Sequence, residues 1–210
     1  MQMRFWPTVW AMVLVSCSGE GGQDPRDRQI AGDDTRGISG SADPGPADSG
    51  LQSKAASARF MSAYTDFDLA YCAETSRAKE GHYVTYRCPG RDGVALFVED
   101  GDGRFDIDAG VADEAFESMG AFNYPGDRIE WRYESGKLVA VIYRLHDARE
   151  DARDRSALFV ARPGSDGQPG CTIAQIAGEN ANEQARRIAD MRAATFACYQ
   201  QKLQVIGDAS

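Results

Sequence analysis

Four aspartates lie close together in the sequence and could carry out carboxylate chemistry: Asp100, Asp102, Asp106 and Asp108. Paired carboxylates hydrolyse glycosidic bonds, and alternating carboxylates bind calcium. The spacing does not match an EF-hand, because Arg104 occupies the third ligand position and the required glycine and distal glutamate are misplaced. We therefore expect a solvated hairpin tip that binds no metal and no cofactor. A hydrolase that uses the acidic cluster remains the alternative.

The chain has two histidines, His82 and His146, and neither accompanies a nucleophile motif such as Gly-x-Ser-x-Gly. We interpret both as surface residues at the ends of strands. Three aromatic residues, Trp131, Tyr133 and Tyr143, could form an exposed patch for sugars or a partner protein. A hydrophobic core face is the interpretation that we favour for them. The sequence thus predicts no catalytic residue.

Five cysteines are present: Cys17, Cys72, Cys88, Cys171 and Cys198. None forms a Cys-x-x-Cys motif, so a zinc or thioredoxin-type site has little support. If Cys17 has a separate role, the other four form an even set, which in an exported chain indicates two disulfides. Four cysteines allow three pairings. We favour Cys72–Cys88, which joins the chain before the first clear strand to the end of that strand. We also favour Cys171–Cys198, which joins the last strand to the far end of a helix.

The amino-terminal segment, residues 1–16, has the features of an export signal. A single charge, Arg4, precedes a mainly apolar stretch over residues 5–15. That stretch has the length of a signal-peptide core and is too short to span a membrane. The sequence also contains no run of about 20 apolar residues. We therefore expect the chain to be exported.

The end of this segment, Leu14-Val15-Ser16-Cys17, resembles the lipobox of bacterial lipoproteins. The resemblance implies that Cys17 receives a diacylglyceryl group on its sulfur and that cleavage occurs before it. An ordinary secretory peptide is the alternative, because Ser16 and Ser18 are small residues that a general signal peptidase accepts. Ser18 replaces the aspartate that retains some lipoproteins in the inner membrane. The sequence thus favours a lipid anchor facing the periplasm, in the outer membrane rather than the inner one.

Composition divides the rest of the chain into a linker at residues 17–56, a domain at 57–204 and a tail at 205–210. Gly, Pro, Ser and Asp dominate the linker, which cannot bury enough apolar surface to offset its ordering entropy. The net charge of −9 disfavours nucleic acid as a partner, because phosphates bind Lys and Arg. The expected partners are the membrane, through the lipid, and a component of the cell envelope.

Within the domain, alternating and fully apolar runs separated by turn residues predict an antiparallel sheet. Strands are expected at residues 82–88, 93–99, 104–108, 128–134, 138–145, 157–161 and 170–176. In the third of these strands, Phe105 and Ile107 are expected to be buried and Asp106 and Asp108 exposed. A helix is expected from Asn180, with Glu183 as the capping-box partner, to about Tyr199. The predicted class is α+β: a curled, possibly barrel-like antiparallel sheet with a C-terminal helix.

The domain resembles an uncharacterised family of small exported, disulfide-bonded proteins from alphaproteobacteria. The segments that carry the resemblance span residues 62–198; members of the family more often have Trp where Tyr86 stands. These segments are Tyr64-Thr65-Asp66-Phe67-Asp68-Leu69, Tyr86-Arg87-Cys88-Pro89-Gly90, Phe122-Asn123 and Ile129-Glu130-Trp131-Arg132. The resemblance implies a secreted disulfide domain and no catalytic activity.

Together these patterns predict a lipid-anchored envelope lipoprotein that binds a protein or a cell-wall component and is not an enzyme. Small periplasmic lysozyme inhibitors illustrate the class, although their inhibitory loop motif is absent here. Two alternatives remain open. One is an envelope hydrolase that uses the cluster from Asp100 to Asp108, and the other is a structural protein of envelope assembly.

Overall fold

The computed structural model describes residues 59–152 and 154–209. Cys17, the export signal and the predicted linker lie outside these residues. The described part of the chain forms one α-helix, α1 (Ala181–Ile188), which is continued by a π-helical turn at Ala189–Ala193. Its strands are β1 (Phe60–Asp66), β2 (Ala73–Arg77), β3 (Tyr83–Arg91), β4 (Val94–Gly101), β5 (Phe105–Ala109), β6 (Asn123–Pro125), β7 (Arg128–Glu134), β8 (Lys137–Asp147), β9 (Ser156–Arg162), β10 (Cys171–Ala177) and β11 (Gln204–Ile206).

The strands form two sheets. The large sheet has the order β1-β7-β8-β9-β10-β11, with β6 also paired to β8, and the small sheet has the order β2-β3-β4-β5. All pairs are antiparallel except β10 with β11. The α+β class is therefore confirmed. The strands do not form the single curled or barrel-like sheet that we expected, because they divide between two sheets that do not close on each other.

Two hydrophobic layers hold the elements together. One lies between the sheets, where Leu96 and Val98 of the small sheet pack with Trp131 and Phe159 of the large one. The other lies between the opposite face of the large sheet and α1, where Val160 and other apolar residues are buried. The central strands β8 and β9 are apolar on both faces because both of their faces are covered.

Turn residues set the hairpins where the sequence predicts them. Asp102 and Gly103 adopt positive φ angles of 58° and 76° between β4 and β5, and Ser135 and Gly136 adopt 49° and 82° between β7 and β8. Paired positive φ angles match the twist of the flanking strands in tight hairpins. The pairing of Ala63 with Trp131 then fixes β1 beside β7 in the large sheet.

The structure contains two disulfides, Cys72–Cys88 and Cys171–Cys198, which is the pairing favoured from the sequence. The first ties the start of β2 to β3. The second ties β10 to the segment that follows the helix. In the chain-entropy model, closing loops of 16 and 27 residues contributes about 3 kcal/mol or more each to stability.

The C-terminal region departs from the predicted single helix. α1 spans eight residues and does not reach Tyr199. Asn180 has a left-handed backbone conformation and its side chain makes no capping hydrogen bond, so the predicted capping box with Glu183 is wrong. The chain beyond the π-helical turn is held by the disulfide at Cys198 and by Arg162, whose Nη1 donates a 2.6 Å hydrogen bond to the carbonyl oxygen of Phe196.

Residues predicted as a tail are part of the fold. β11 pairs in parallel with β10, in a register that sets Gln204 against Ala174, and Ala209 is fully buried. No helix of the described residues is long and apolar enough to cross a membrane.

Candidate functional site

The four aspartates of the acidic cluster divide into two environments. Asp100 and Asp102 lie at the β4–β5 hairpin, where the Oδ1 of Asp100 accepts a 2.8 Å hydrogen bond from the backbone N–H of Gly103. Asp106 and Asp108 lie on β5 and are only 2% and 7% exposed. The predicted solvated tip is therefore wrong for these two residues. Every residue of β5 after Phe105 is buried, so the expected alternation of buried and exposed side chains does not occur.

The loop between β5 and β6 covers these two carboxyl groups. The Oδ2 of Asp106 accepts a 3.0 Å hydrogen bond from the backbone N–H of Glu117, and its Oδ1 accepts a 3.3 Å hydrogen bond from the hydroxyl of the buried Tyr143. The Oδ2 of Asp108 accepts a 3.1 Å hydrogen bond from the backbone N–H of Asp113. The two aspartates thus anchor the covering loop to the edge strand of the small sheet.

Burial is also the main cause of altered acidity at this site. It raises the pKa of Asp106 to about 8, with a further contribution from the charge of Asp108. It raises the pKa of Asp108 to about 7, against the lowering effect of the hydrogen bond from Asp113. The pKa of Glu117 is raised to about 7 by burial and by Asp113. Carboxyl groups with such values can act as general acids near neutral pH.

Access decides what these acids can do. The neighbouring surface cleft, of about 270 Å³, is lined by Tyr83, Glu99 and Phe116 among others, but not by Asp106 or Asp108. No group of three or more His, Cys, Asp or Glu side chains in the described part of the chain is arranged to hold a metal ion. A substrate in this cleft would reach Glu99 and not the buried pair.

The aromatic residues considered from the sequence belong mostly to the core. Trp131 and Tyr143 are 0% and 1% exposed, as the favoured interpretation predicts. Trp131 donates a 2.9 Å hydrogen bond from Nε1 to the Oγ1 of Thr65. Tyr133 is only partly buried, and its hydroxyl donates to Asp92 and accepts from Arg91. These residues therefore form no exposed aromatic patch.

The histidines have different surroundings. His82 is exposed immediately before β3, with its Nδ1 3.7 Å from a carboxylate oxygen of Asp102. His146 lies one residue before the end of β8, half-buried, and its ring stacks on Tyr124 at 5.2 Å. Burial lowers the pKa of His146, and Arg144 lowers it further, whereas Asp127 raises it. The structure does not bring either histidine together with Asp106 and Asp108 at one site.

Comparison with known proteins does not assign the chain to a family. No family model matches the chain, and no curated protein or solved structure is significantly similar to it.

A second cleft, which the sequence analysis does not predict, lies beside α1. It has a volume of about 430 Å³ and combines side chains from β7, β8 and the helix. Its charged and polar lining includes Asp127, Arg128, Glu130, Arg144, His146, Asn182 and Arg186. These residues are spread over nearly sixty positions of the sequence, so no local motif indicates the cleft. Only the pairing of the strands and the packing of α1 bring them together.

Some of the arginines around α1 are fully paired. Arg186 donates to both carboxylate oxygens of Glu130, at 2.7 and 3.1 Å, and to the hydroxyl of Tyr64. Beside the cleft, Arg132 donates to both carboxylate oxygens of Asp190, each at 2.7 Å. Such bidentate pairs fix the side chains as well as neutralising their charge. They join α1 and the π-helical turn to β7.

Arg144 differs from these pairs because its partners are neutral. It donates a 2.7 Å hydrogen bond to the Oγ of Ser156 and a 3.2 Å hydrogen bond to the Oδ1 of Asn182. Among the described residues, no carboxylate lies within 4.0 Å of its guanidinium. Partial burial lowers the pKa of Arg144. The cleft therefore contains a half-buried cation that no carboxylate of the described residues contacts.

Proposed function

We propose that the protein is a lipid-anchored component of the bacterial cell envelope that binds a protein or a cell-wall component and does not catalyse a reaction. Its anchor is the lipidated Cys17, and its membrane is the outer one. The motif Leu14-Val15-Ser16-Cys17, placed directly after an apolar signal core, supports the anchor. The two disulfides support an oxidising compartment, because such bonds are rare in the cytosol.

The observation that carries the choice of binding over catalysis is the burial of Asp106 and Asp108. Catalysis requires an acid or base that the substrate can reach. Both carboxyl groups are less than 10% exposed, and their oxygens accept hydrogen bonds from backbone N–H groups of the covering loop. Their role in this proposal is structural. The cleft beside α1, by contrast, presents charged side chains to solvent. It brings His146 near the buried Glu130, but both oxygens of that carboxylate accept hydrogen bonds from Arg186.

The long segment before the domain suits a tethered binding protein. As the disordered linker predicted from the sequence, residues 17–56 would span roughly 35 Å between their ends. It would hold the domain away from the lipid surface while keeping it near partners in the envelope. Tethering raises the effective concentration of such partners. A purely structural role in envelope assembly would use the same anchor and spacer. Capture of a partner from envelope extracts distinguishes the binding function from the structural role, because only the binding function requires a captured partner.

A hydrolase is the second candidate, and the raised pKa values of Asp106 and Asp108 favour it. Shifts of this size occur at active sites as well as at structural sites. The test is an assay of the full-length protein in a non-ionic detergent against cell-wall glycans, peptides and esters. We expect no turnover. Turnover that disappears in the Asp106→Asn/Asp108→Asn double variant, but persists in Asp154→Asn, an exposed control outside the cluster, would overturn the proposal and establish the hydrolase.

A further inference from the structure

The cleft beside α1 carries more positive charge than its own acidic residues neutralise. Three arginines, Arg128, Arg144 and Arg186, line it together with two carboxylates, Asp127 and Glu130. This leaves a single positive charge, in a chain whose net charge is −9. A local excess of arginine in an acidic protein selects anions by charge and excludes cations.

The unpaired guanidinium groups are available to a ligand. Arg144 uses two of its five N–H donors, on Ser156 and Asn182, and both partners are uncharged. Arg128 lies at the exposed rim with its guanidinium carbon 6.0 Å from the ring centre of Tyr64. Neither arginine has a carboxylate within 4.0 Å among the residues that the structure describes. Burying part of a cation without an opposite charge is unfavourable, and an anionic ligand would remove that cost.

The size, lining and charge of the cleft indicate which kind of anion it could bind. The cleft volume of about 430 Å³ lies within the range of small-ligand sites, about 300–1,000 Å³. Ile142 and Leu158 form the apolar part of its lining but are only 3% and 5% exposed, so the cleft has room against them for no more than a short side chain. The single excess charge matches a carboxylate better than a doubly charged phosphate. The planar, forked donors of arginine fit a carboxylate through two parallel hydrogen bonds.

We propose that this cleft binds the free carboxylate of a peptide, with Arg128 and Arg144 as the groups that hold it. The inference rests on the proposed binding function and names the chemistry that the domain would recognise. Two sources in the envelope carry such a group: the C-terminus of a protein, built from L-residues, and a cell-wall peptide that ends in D-residues. Because the cleft would bind the carboxylate of either source in the same way, the experiment below compares L- and D-peptides.

The test is isothermal titration calorimetry on the full-length protein in a non-ionic detergent. The probes are L-alanyl-L-alanine, D-alanyl-D-alanine, L-alanyl-L-alaninamide and inorganic phosphate. We expect saturable binding of at least one dipeptide with a Kd on the order of 1 mM or below. The amide, which lacks the carboxylate, should bind at least about tenfold more weakly than the dipeptide. We expect the same of phosphate. The preferred dipeptide identifies the source.

Variants tie the binding to the cleft. Arg128→Gln removes a donor at an exposed position, so the fold should be retained while dipeptide affinity falls about tenfold. Arg144→Gln should have at least the same effect. Arg87→Gln changes an exposed arginine of β3 outside the cleft and should leave affinity unchanged. Absence of dipeptide binding, equal binding of the amide or phosphate, or unchanged affinity in Arg128→Gln would each overturn the inference.

The same samples separate this inference from the proposed function. Nuclear magnetic resonance of the dipeptide after incubation reports whether it remains intact. A dipeptide that binds in the cleft and is then cleaved would support the cleft assignment and overturn the non-catalytic function. If no dipeptide binds but the wild-type protein captures an envelope component that Arg128→Gln also captures, only the cleft assignment is wrong.

Discussion

The backbone N–H of Glu117 donates a 3.0 Å hydrogen bond to the Oδ2 of Asp106, eleven residues earlier in the chain. Together with the bond between Asp113 and Asp108, this contact holds a long loop over the edge strand of the small sheet. Both aspartates are thereby removed from water, and their pKa values rise as a consequence. The stability of the domain should therefore depend on pH in a direction that can be derived.

Asp108 gives the first prediction. Its pKa is about 7 in the folded domain and near 4 when unfolded, so between these values only the unfolded carboxyl releases its proton. The free energy of unfolding thus falls as pH rises through this window, by up to about 1.4 kcal/mol per pH unit. Asp108→Asn removes the charge, while the amide oxygen can still accept the hydrogen bond from Asp113. The variant should therefore be more stable than wild type at pH 8.

Thermal unfolding followed by circular dichroism at pH 4, 6 and 8 tests this prediction. We expect Asp108→Asn to raise Tm at pH 8 by roughly 2–4 °C for each kcal/mol gained, and to have little effect at pH 4. Asp154→Asn, which changes an exposed aspartate, is the matched control and should follow wild type. A lower Tm of Asp108→Asn at pH 8 would contradict the assignment of a buried, raised-pKa carboxyl.

The pair of Arg132 and Asp190 gives the second prediction. The two side chains are 12% and 21% exposed, and two hydrogen bonds of 2.7 Å join β7 to the π-helical turn. Asp190→Asn leaves a largely buried guanidinium without its counter-charge, so we expect a loss of about 2 kcal/mol in the free energy of unfolding. Urea denaturation at pH 7 measures this loss.

The matched control for this pair is Glu74→Gln. Glu74 pairs with Arg77 on β2, and both side chains are more than 40% exposed. Exposed pairs contribute little to stability because water screens them. We expect no measurable change in the urea midpoint for this variant. Equal losses for the two variants would show that burial does not govern the strength of these ion pairs.

The disulfides give the third prediction. Peptide mapping without reduction, on protein purified from a cell envelope, should recover peptides that link Cys72 to Cys88 and Cys171 to Cys198. Replacing Cys171 and Cys198 with alanine should lower the free energy of unfolding by about 3 kcal/mol, because the 27-residue loop gains freedom in the unfolded chain. Free thiols on all four cysteines would contradict both bonds, and peptides with exchanged partners would contradict the pairing.

The sequence predicts most of the strands because their patterns depend on burial against a nearby hairpin partner. The run from Arg128 to Glu134 and the turn at Ser135-Gly136 are local signals, and the structure contains both the strand and the turn. β5 shows the limit of this reasoning. Its alternation predicts a half-exposed strand, but a loop of later residues covers the face that carries Asp106 and Asp108. Nothing in a five-residue pattern reports what covers it.

The sequence does not predict the C-terminal region or the cleft, and the two failures have related causes. Helical periodicity continues past Ile188, but the α-helix ends there. The disulfide at Cys198 and the hydrogen bond from Arg162 hold the chain after the π-helical turn in a non-helical conformation. β11 is three residues long and pairs in parallel with a strand almost thirty residues away, so no local signal predicts it. The arginines of the cleft lie on separate elements, and only the tertiary structure shows that Arg144 lacks an acidic partner.

Metabolic labelling at Cys17 tests the central claim, a lipid-anchored envelope protein, most directly. The full-length chain is expressed in a bacterial host that is grown with an alkynyl fatty acid, and label and protein are followed in membrane and soluble fractions. Wild type and the control Ser18→Ala should carry the label and sediment with membranes, whereas Cys17→Ser should lose the label and become soluble. A Cys17→Ser protein that is labelled and sediments like wild type, or an unlabelled and soluble wild type, would contradict the account.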